Sequence, residues 1–356
     1  MQLVVIKIGS NVLTKEDGSP DKERMASLVK QMVFLKENNV QVVLVTSGAV
    51  AFGRKSIRME DRGDSIVKKQ VLASVGQIEL ISSYKELFLQ EGHQIAQLMV
   101  TKEDFRDRKH YLNMKGCLAG LLRYGIVPII NENDAVAVTE LMFTDNDELA
   151  GLVAAMVDAN SLLLLTNVDG IYKGHPDDPS AELIERVGRK MPEVSKYVST
   201  SKSSFGRGGM ITKMSMAKKS ADLGIHVYIA NGKRDDVLVD FYHNRLRATY
   251  FEPDRTKHNQ KKWIAHSDNY SKGEVVINEG AKKALLSRKI ISLLPIGIVD
   301  IKGDFTRGEI VRIVDEQGEK LGLGKAEYGA KIAIEKIGVS NQRPLIHYDY
   351  LYLFHQ

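Results

Sequence analysis

Short apolar runs punctuate the first two thirds of the chain: Leu3 to Ile8, Gln41 to Val45, Ile95 to Val100, Val127 to Ile130, Leu162 to Leu165 and Val227 to Ala230. They do not alternate with polar residues, so both faces of each run are meant for burial, as in a parallel sheet covered by helices on both sides. The stretches between them carry helical spacing. In one, Ser19 offers a cap and Pro20 a first turn, after which Met25, Leu28, Met32 and Leu35 fall on a single face. Strands alternating with helices predict an α/β three-layer sandwich built on a mainly parallel sheet.

The pattern changes near residue 250. The stretch 252–272 is polar and basic, holds Trp263, and reads as a linker. Beyond it come strand-like runs at Glu274 to Asn278, Gly297 to Lys302, Glu309 to Val314 and Lys320 to Lys325, with one helix at Glu279 to Ser287. Asp315-Glu316-Gln317-Gly318 has hairpin-loop chemistry. The division predicted is a larger α/β domain over 1–251, the linker, and a small β-rich domain over 273–356.

Composition narrows the class. At 356 residues and 43% hydrophobic the chain can bury a real core. Cys117 is the only cysteine, which excludes an internal disulfide and a multi-cysteine metal site. No long apolar leader segment follows Met1, and no stretch approaches the ~20 apolar residues of a membrane span, so the expectation is a cytoplasmic protein. The net charge is +5, and the basic excess sits in residues 196–272, with 15 Lys and Arg against 7 Asp and Glu. That placement suits a phosphate-rich ligand better than a nucleic-acid surface at the C-terminus.

Two polar clusters flank the segment between Ile130 and Gly151. Asn131-Glu132-Asn133-Asp134 closes a strand-like run, and Asp145-Asn146-Asp147-Glu148 opens a helical one. Open α/β sheets place ligands at such strand ends. Carboxylates can take an ammonium and amides can donate to a carboxylate, so the pair suits a small zwitterion such as an amino acid. Three glycine-bearing segments could cradle phosphate. Lys7 with Gly9-Ser10-Asn11 reads equally as a lysine emerging toward an anion or as an edge-strand lysine in solvent. Thr46-Ser47-Gly48 is either an anion cradle or a capped turn. Gly206-Arg207-Gly208-Gly209-Met210-Ile211-Thr212-Lys213 opens a helix and points to nucleotide phosphates, although it matches neither a P-loop nor a dinucleotide fingerprint. Thr166-Asn167-Val168-Asp169-Gly170 could receive a purine or be a plain exit loop. No Ser-His-Asp arrangement or H-E-x-x-H stands out, so hydrolase readings have little support.

Taken in order, these segments resemble the amino acid kinase family, and within it the members that phosphorylate the side-chain carboxylate of L-glutamate. The carrying residues are Ile6 to Ser10, Val45 to Ala49, Ala73-Ser74-Val75-Gly76-Gln77, Ile130 to Asp134, Asp145 to Asp147, Leu165 to Asn167 with Gly170-Ile171-Tyr172, and Gly208 to Lys213. The β-rich tail is similar to a PUA domain. The resemblance implies transfer of the ATP γ-phosphoryl group to give L-glutamyl 5-phosphate, the first step towards proline. It implies that Lys7 and Lys213 flank the transferring group and that Asp147 holds both heads. Ser47, Asp134 and Asn146 would grip glutamate, with Asp134 on the ammonium and Asn146 donating to a carboxylate. Lys7, Gly9, Ser10, Thr166, Asn167, Arg207, Gly208, Gly209, Met210, Ile211, Thr212 and Lys213 would hold ATP, with Gly9, Gly48, Gly208 and Gly209 giving backbone N–H groups to phosphates. Mg²⁺ would be held mainly by ATP oxygens, with no metal site of the chain's own. A homo-oligomer, proline as feedback inhibitor, tuning through Thr101 to Lys115, and association with the next enzyme of the pathway are further implications. Asn167 stands where members often carry Asp, and Arg207 where a small hydroxyl residue is common. The runners-up are kinases of the same fold acting on aspartate, N-acetylglutamate, carbamate or UMP, and then an RNA-binding protein acting through the tail.

Overall fold

The computed structural model describes residues 2–58, 65–106, 108–136, 143, 145–175, 178, 180–188, 209–254, 264, 271–287 and 291–354. Contacts divide the chain into two units, Met1–Arg255 and Thr256–Gln356. Most of the polar stretch 252–272 lies outside the described residues.

The strands of the first unit are β1 (Gln2–Ile8), β2 (Val40–Val45), β3 (Ile95–Val100), β4 (Val127–Glu132), β5 (Ser161–Thr166), β6 (Tyr172–Lys173), β7 (Glu182–Leu183), β8 (Arg186–Val187), β9 (His226–Asn231) and β10 (Ala248–Phe251). The helices are α1 (Ser10–Leu13), α2 (Lys22–Glu37), α3 (Ala49–Ser56), α4 (Ser65–Gln90), α5 (Lys102–Arg106), α6 (Arg108–Arg123), α7 (Asn146–Met156), α8 (Met210–Asp222) and α9 (Val237–Tyr242). All but β6 and β7 form a sheet of order β3-β4-β2-β1-β5-β9-β10-β8. β1 lies centrally, parallel to β2 with Lys7 opposite Val45, and parallel to β5 with Lys7 opposite Leu164. The expected parallel sheet is present, and β10 against β9 is its antiparallel exception. β10 and the two-residue strands β6 to β8 carry no apolar run long enough to be read from sequence.

Alternation along β1 sends Leu3 and Val5 into one core and Val4, Ile6 and Ile8 into the other. The first core is closed by α7 and α8 through residues such as Leu149, Val153 and Ala217. The second is closed by Met25, Leu28, Met32 and Leu35 of α2, the predicted face, together with Leu80, Tyr84 and Phe88 of α4. The start of α2 differs from expectation. Its cap is Asp21, whose carboxylate accepts the Arg24 N–H at 3.0 Å, because Ser19 is spent in a turn on Asp17. α3 and α4 cross with their backbones nearly touching: a Cβ on Gly76 would collide with the Ala49 carbonyl, and one on Gly53 with the backbone of Leu72. Gly48, at φ +108°, supplies the left-handed turn that starts α3.

In the second unit β11 (Gly273–Ile277), β12 (Ile298–Gly303), β13 (Ile310–Asp315), β14 (Lys320–Ala326) and β15 (Ile346–Leu353) order as β12-β11-β13-β14-β15. Helices α10 (Glu279–Leu286) and α11 (Ala330–Glu335) accompany them. The Asp315 to Gly318 loop is a hairpin, with Asp315 Oδ1 accepting the N–H of Gln317 and Glu319 at 3.0 and 2.7 Å. β15 was not anticipated, since His347, Asp349 and three tyrosines make its sequence look like a polar tail. Among the described residues no helix is long and apolar enough to cross a membrane.

Candidate active site

Parallel strands bring their carboxyl ends to one edge, and the exit loops there are knitted to neighbouring strands. Gly9 N donates to Leu165 O at 3.2 Å, Thr46 N to Ile130 O at 3.0 Å, and Gly232 N to Thr166 O at 2.8 Å. Helix α7 enters this edge amino end first. Asp145 caps it, accepting the N–H of Asp147 at 2.8 Å and of Glu148 at 3.2 Å. From Asp147 to Met156 the helix is buried all round, so the cap fixes its polar first turn inside the protein.

That first turn holds the charge centre. Asp147 is fully buried, with Lys7 Nζ 2.5 Å from Oδ1 and Lys213 Nζ 2.5 Å from Oδ2. Lys213 donates a hydrogen bond to Oδ2, and Lys7 forms an ion pair with Oδ1. Desolvation pushes the Asp147 carboxyl up, but the two ammonium groups outweigh it and hold the group well below the usual carboxylate range. Lys7 is moved down, since burial exceeds the pull of Asp147 and Lys213 adds repulsion. Lys213 is also desolvated, yet Asp147 raises it. Asp145 is pushed up by burial and then by the Asp147 charge, and its Oδ2 is buried without a hydrogen-bond partner.

Beside the charge centre lies an amide network. Asn146 Nδ2 reaches Thr46 O at 2.6 Å, Ser47 Oγ at 2.9 Å and Asn131 Oδ1 at 3.0 Å. Asn131 Nδ2 in turn donates to Gln77 Oε1 on α4 at 2.8 Å. The structure brings Ser47 and Asn146 together, with the Asn146 donor committed to partners within the protein. Asp134 stands in the turn after β4 and pairs with Lys69 of α4, Nζ to Oδ1 at 2.5 Å.

The predicted phosphate segments fare differently. Gly9 donates its N–H to Leu165 O, and a Cβ at this position would lie 3.6 Å from the Lys7 head. Ser10 opens the one-turn α1 and gives its carbonyl to Thr14 Oγ1 at 3.0 Å. Thr166 is buried at the end of β5 with Oγ1 donating to Asn167 Oδ1 at 3.3 Å, and Asn167 is exposed beyond it. Gly209 caps α8 with backbone alone, its carbonyl accepting from Thr212 and Lys213 at 3.1 and 3.2 Å. The first-turn N–H groups of Met210 and Ile211 have no acceptor within the helix, which is the geometry of an anion site. Arg207 and Gly208 lie outside the described residues. Among the described residues no group of three or more His, Cys, Asp or Glu could hold a metal ion.

Residues 2–231 match the model of the amino acid kinase family, and residues 273–342 match that of the PUA domain. The chain belongs to the amino acid kinase family. Within it the similarity is to proteins named Glutamate 5-kinase. Identity is 47% over 353 residues to that of Bacteroides thetaiotaomicron, covering 98% of both chains. It is 44% over 355 residues to that of Chlorobaculum tepidum, covering 98% of this chain and 97% of the relative. The fold is shared with a solved structure of isopentenyl phosphate kinase, at TM-score 0.51 and 16% identity, covering 70% of this chain and all of that one.

In this amino acid kinase Asn131, Gln77 and Lys69 join the polar network beside the charge centre. Asn131 was visible in the first polar cluster but had no assigned role, and Gln77 sat in a recognised segment without one. Lys69 gave no signal, because Lys68-Lys69-Gln70 reads as the solvent face of a helix.

Proposed function

We propose that this protein transfers the γ-phosphoryl group of ATP to the side-chain carboxylate of L-glutamate, giving L-glutamyl 5-phosphate for proline biosynthesis. The observation that carries the reading is identity of 47% to a Glutamate 5-kinase along 98% of both chains, so that both domains are included.

The Lys7–Asp147–Lys213 centre supplies what this chemistry needs. The acceptor carboxylate is ionised and already nucleophilic, so no proton has to be removed. One of its oxygens forms a bond to the γ-phosphorus while the bond from that phosphorus to the β–γ bridging oxygen breaks, and ADP leaves with the electron pair. The difficulty is bringing two anions together and steadying charge on the phosphoryl oxygens, which is a task of positioning and neutralisation. An ammonium ~4 Å from that charge, at an effective dielectric of ~20, contributes roughly 4 kcal/mol. Asp147 keeps two such heads aimed at one place. Ser47, Asn146 and Asp134 line the acceptor side. The α8 amino end, with Gly209, Met210, Ile211 and Thr212, takes the nucleotide phosphates, and Thr166 and Asn167 border the base. The donor set suits a Mg²⁺ that arrives on ATP, whose own oxygens supply most of its ligands. Bound there, the ion would screen repulsion between the phosphates.

Proline feedback, a homo-oligomer, association with the next enzyme of the pathway and a cytoplasmic setting are part of the same reading. In support of tuning through Thr101 to Lys115, Lys102 is buried and paired with Glu148 in the first turn of α7 at 3.2 Å. The test is ADP release with Mg-ATP and each of L-glutamate, L-aspartate, N-acetylglutamate, carbamate and UMP, with hydroxylamine trapping any acyl phosphate. Glutamate-dependent hydroxamate is expected. Turnover confined to another acceptor would overturn the substrate assignment.

A further inference from the structure

Asp134 is one half of a pair. The Lys69 ammonium is 2.5 Å from its Oδ1, with the two side chains 29% and 16% exposed. The partners belong to separate elements. Asp134 sits in the turn that follows β4, whereas Lys69 rides on α4, whose backbone is pressed against α3 at Gly76. A long flexible lysine would be expected to reach for solvent. Here it is turned inward onto the carboxylate assigned to the substrate ammonium. About two turns along the same helix, Gln77 receives a hydrogen bond from Asn131 while its own Nε2 is buried without a partner. The face of α4 towards β4 therefore carries one cation and one unspent donor beside the acceptor site.

An anion and a cation held side by side are complementary to the head of an α-amino acid, which bears an ammonium and a carboxylate on one carbon. We propose that Lys69 is a specificity-determining residue: Asp134 receives the α-ammonium of the substrate and Lys69 its α-carboxylate. This rests on the reading of the site as the pocket for an amino-acid acceptor. Without substrate, Lys69 and Asp134 neutralise each other. With substrate, one ion pair becomes two crossed pairs and no charge is left unmatched. An acceptor lacking the ammonium leaves Asp134 against its own partner only. An acceptor lacking the α-carboxylate leaves Lys69 in the same condition. Desolvating either group while the substrate's matching charge is missing penalises the wrong ligand more than the right contact rewards the correct one.

The alternative is that Lys69 only steadies Asp134, and substrate truncation separates the two. The full-length enzyme and its Lys69→Met and Lys69→Arg variants are assayed with L-glutamate and with 4-aminobutyrate, which keeps the ammonium and the reacting carboxylate but has no α-carboxylate. Hydroxamate formation is the readout, with the KM for ATP and far-UV circular dichroism reporting the rest of the site and the fold. Lys69→Met should lower kcat/KM for glutamate about 10- to 100-fold, mainly through KM, which is the scale of a hydrogen bond to a charged group. It should lower kcat/KM for 4-aminobutyrate less than about threefold, because the group that Lys69 would contact is already missing. Lys69→Arg should recover most of the loss. Equal losses on both acceptors, or an unchanged KM for glutamate, would overturn the assignment while leaving the proposed activity standing. A parent enzyme inert with glutamate would overturn the activity, and the assignment with it.

Discussion

Asp147 bears two ammonium groups on one carboxylate that has no exposure to solvent, so its charge is set by them rather than by water. Its carboxyl titrates below the ordinary value of 3.8, and a depressed carboxyl adds stability above the unfolded value that disappears as the pH falls through the folded one. Asp147→Asn leaves two buried cations uncompensated, a change that costs about 3–5 kcal/mol at neutral pH. In thermal or urea unfolding that deficit should be flat between about pH 5 and 8 and should narrow below about pH 4. A deficit that varies through neutrality would mean another group sets the charge. Lys213→Ala, at the edge of the same centre, should fold and yet lose at least about two decades of kcat, within the roughly 4 kcal/mol that one ammonium contributes. Near-normal turnover would remove Lys213 from the mechanism. Each of these residues sits next to a structural signal in the sequence, Lys7 inside an apolar run, Asp147 in the first turn of a helix and Lys213 behind three glycines, while their common role comes from the resemblance alone. Lys69 was not legible, because nothing in a row of exposed-looking lysines tells which one turns inward.

At the scale of elements, the site depends on helices being held at fixed heights above the sheet edge. The crossing of α3 and α4 at Gly53 and Gly76 sets the position of Gln77, and through it of Asn131 and Asn146. Gly76→Ala drives a methyl into the Ala49 carbonyl, so a loss of about 1–3 kcal/mol in stability is expected. Its KM for glutamate should rise more than its KM for ATP, since α4 borders the acceptor side. A melting temperature like that of the parent would show that the crossing has slack. A similar tie links β4 to Phe143: Glu132 Oε1 accepts the Phe143 N–H at 2.8 Å, and the Phe143 ring stands edge-on to Phe105 at 5.8 Å. The elements most visible in the sequence were those with buried runs or a strong periodic face, such as β1, β5 and α2. Those missed were short or polar: β10 pairs antiparallel over four residues, and β15 buries Ile346 and Leu351 to Leu353 but leaves the His347 to Tyr350 stretch between them only partly covered or exposed.

For the whole molecule, the residues assigned to chemistry all fall within 7–213, inside the first of the two contact units and inside the region matched to the amino acid kinase family. A chain ending after Arg255 is therefore expected to retain glutamate-dependent turnover. Loss of all turnover in a truncated chain that remains folded would give the C-terminal unit a part in the site. The order of motifs along the sequence was enough to place the chain in its family. It could not reveal that the Gly9 N–H is taken by Leu165, since that bond joins loops distant in sequence. In the proposed reaction a carboxylate oxygen of glutamate attacks the γ-phosphorus. The most direct test is L-glutamate labelled with ¹⁸O in its side-chain carboxylate, turned over with Mg-ATP and trapped with hydroxylamine, followed by mass analysis of the released phosphate. Phosphate carrying an ¹⁸O from glutamate is predicted. Unlabelled phosphate would mean that water, not the carboxylate, is the acceptor, and would overturn the proposed transfer.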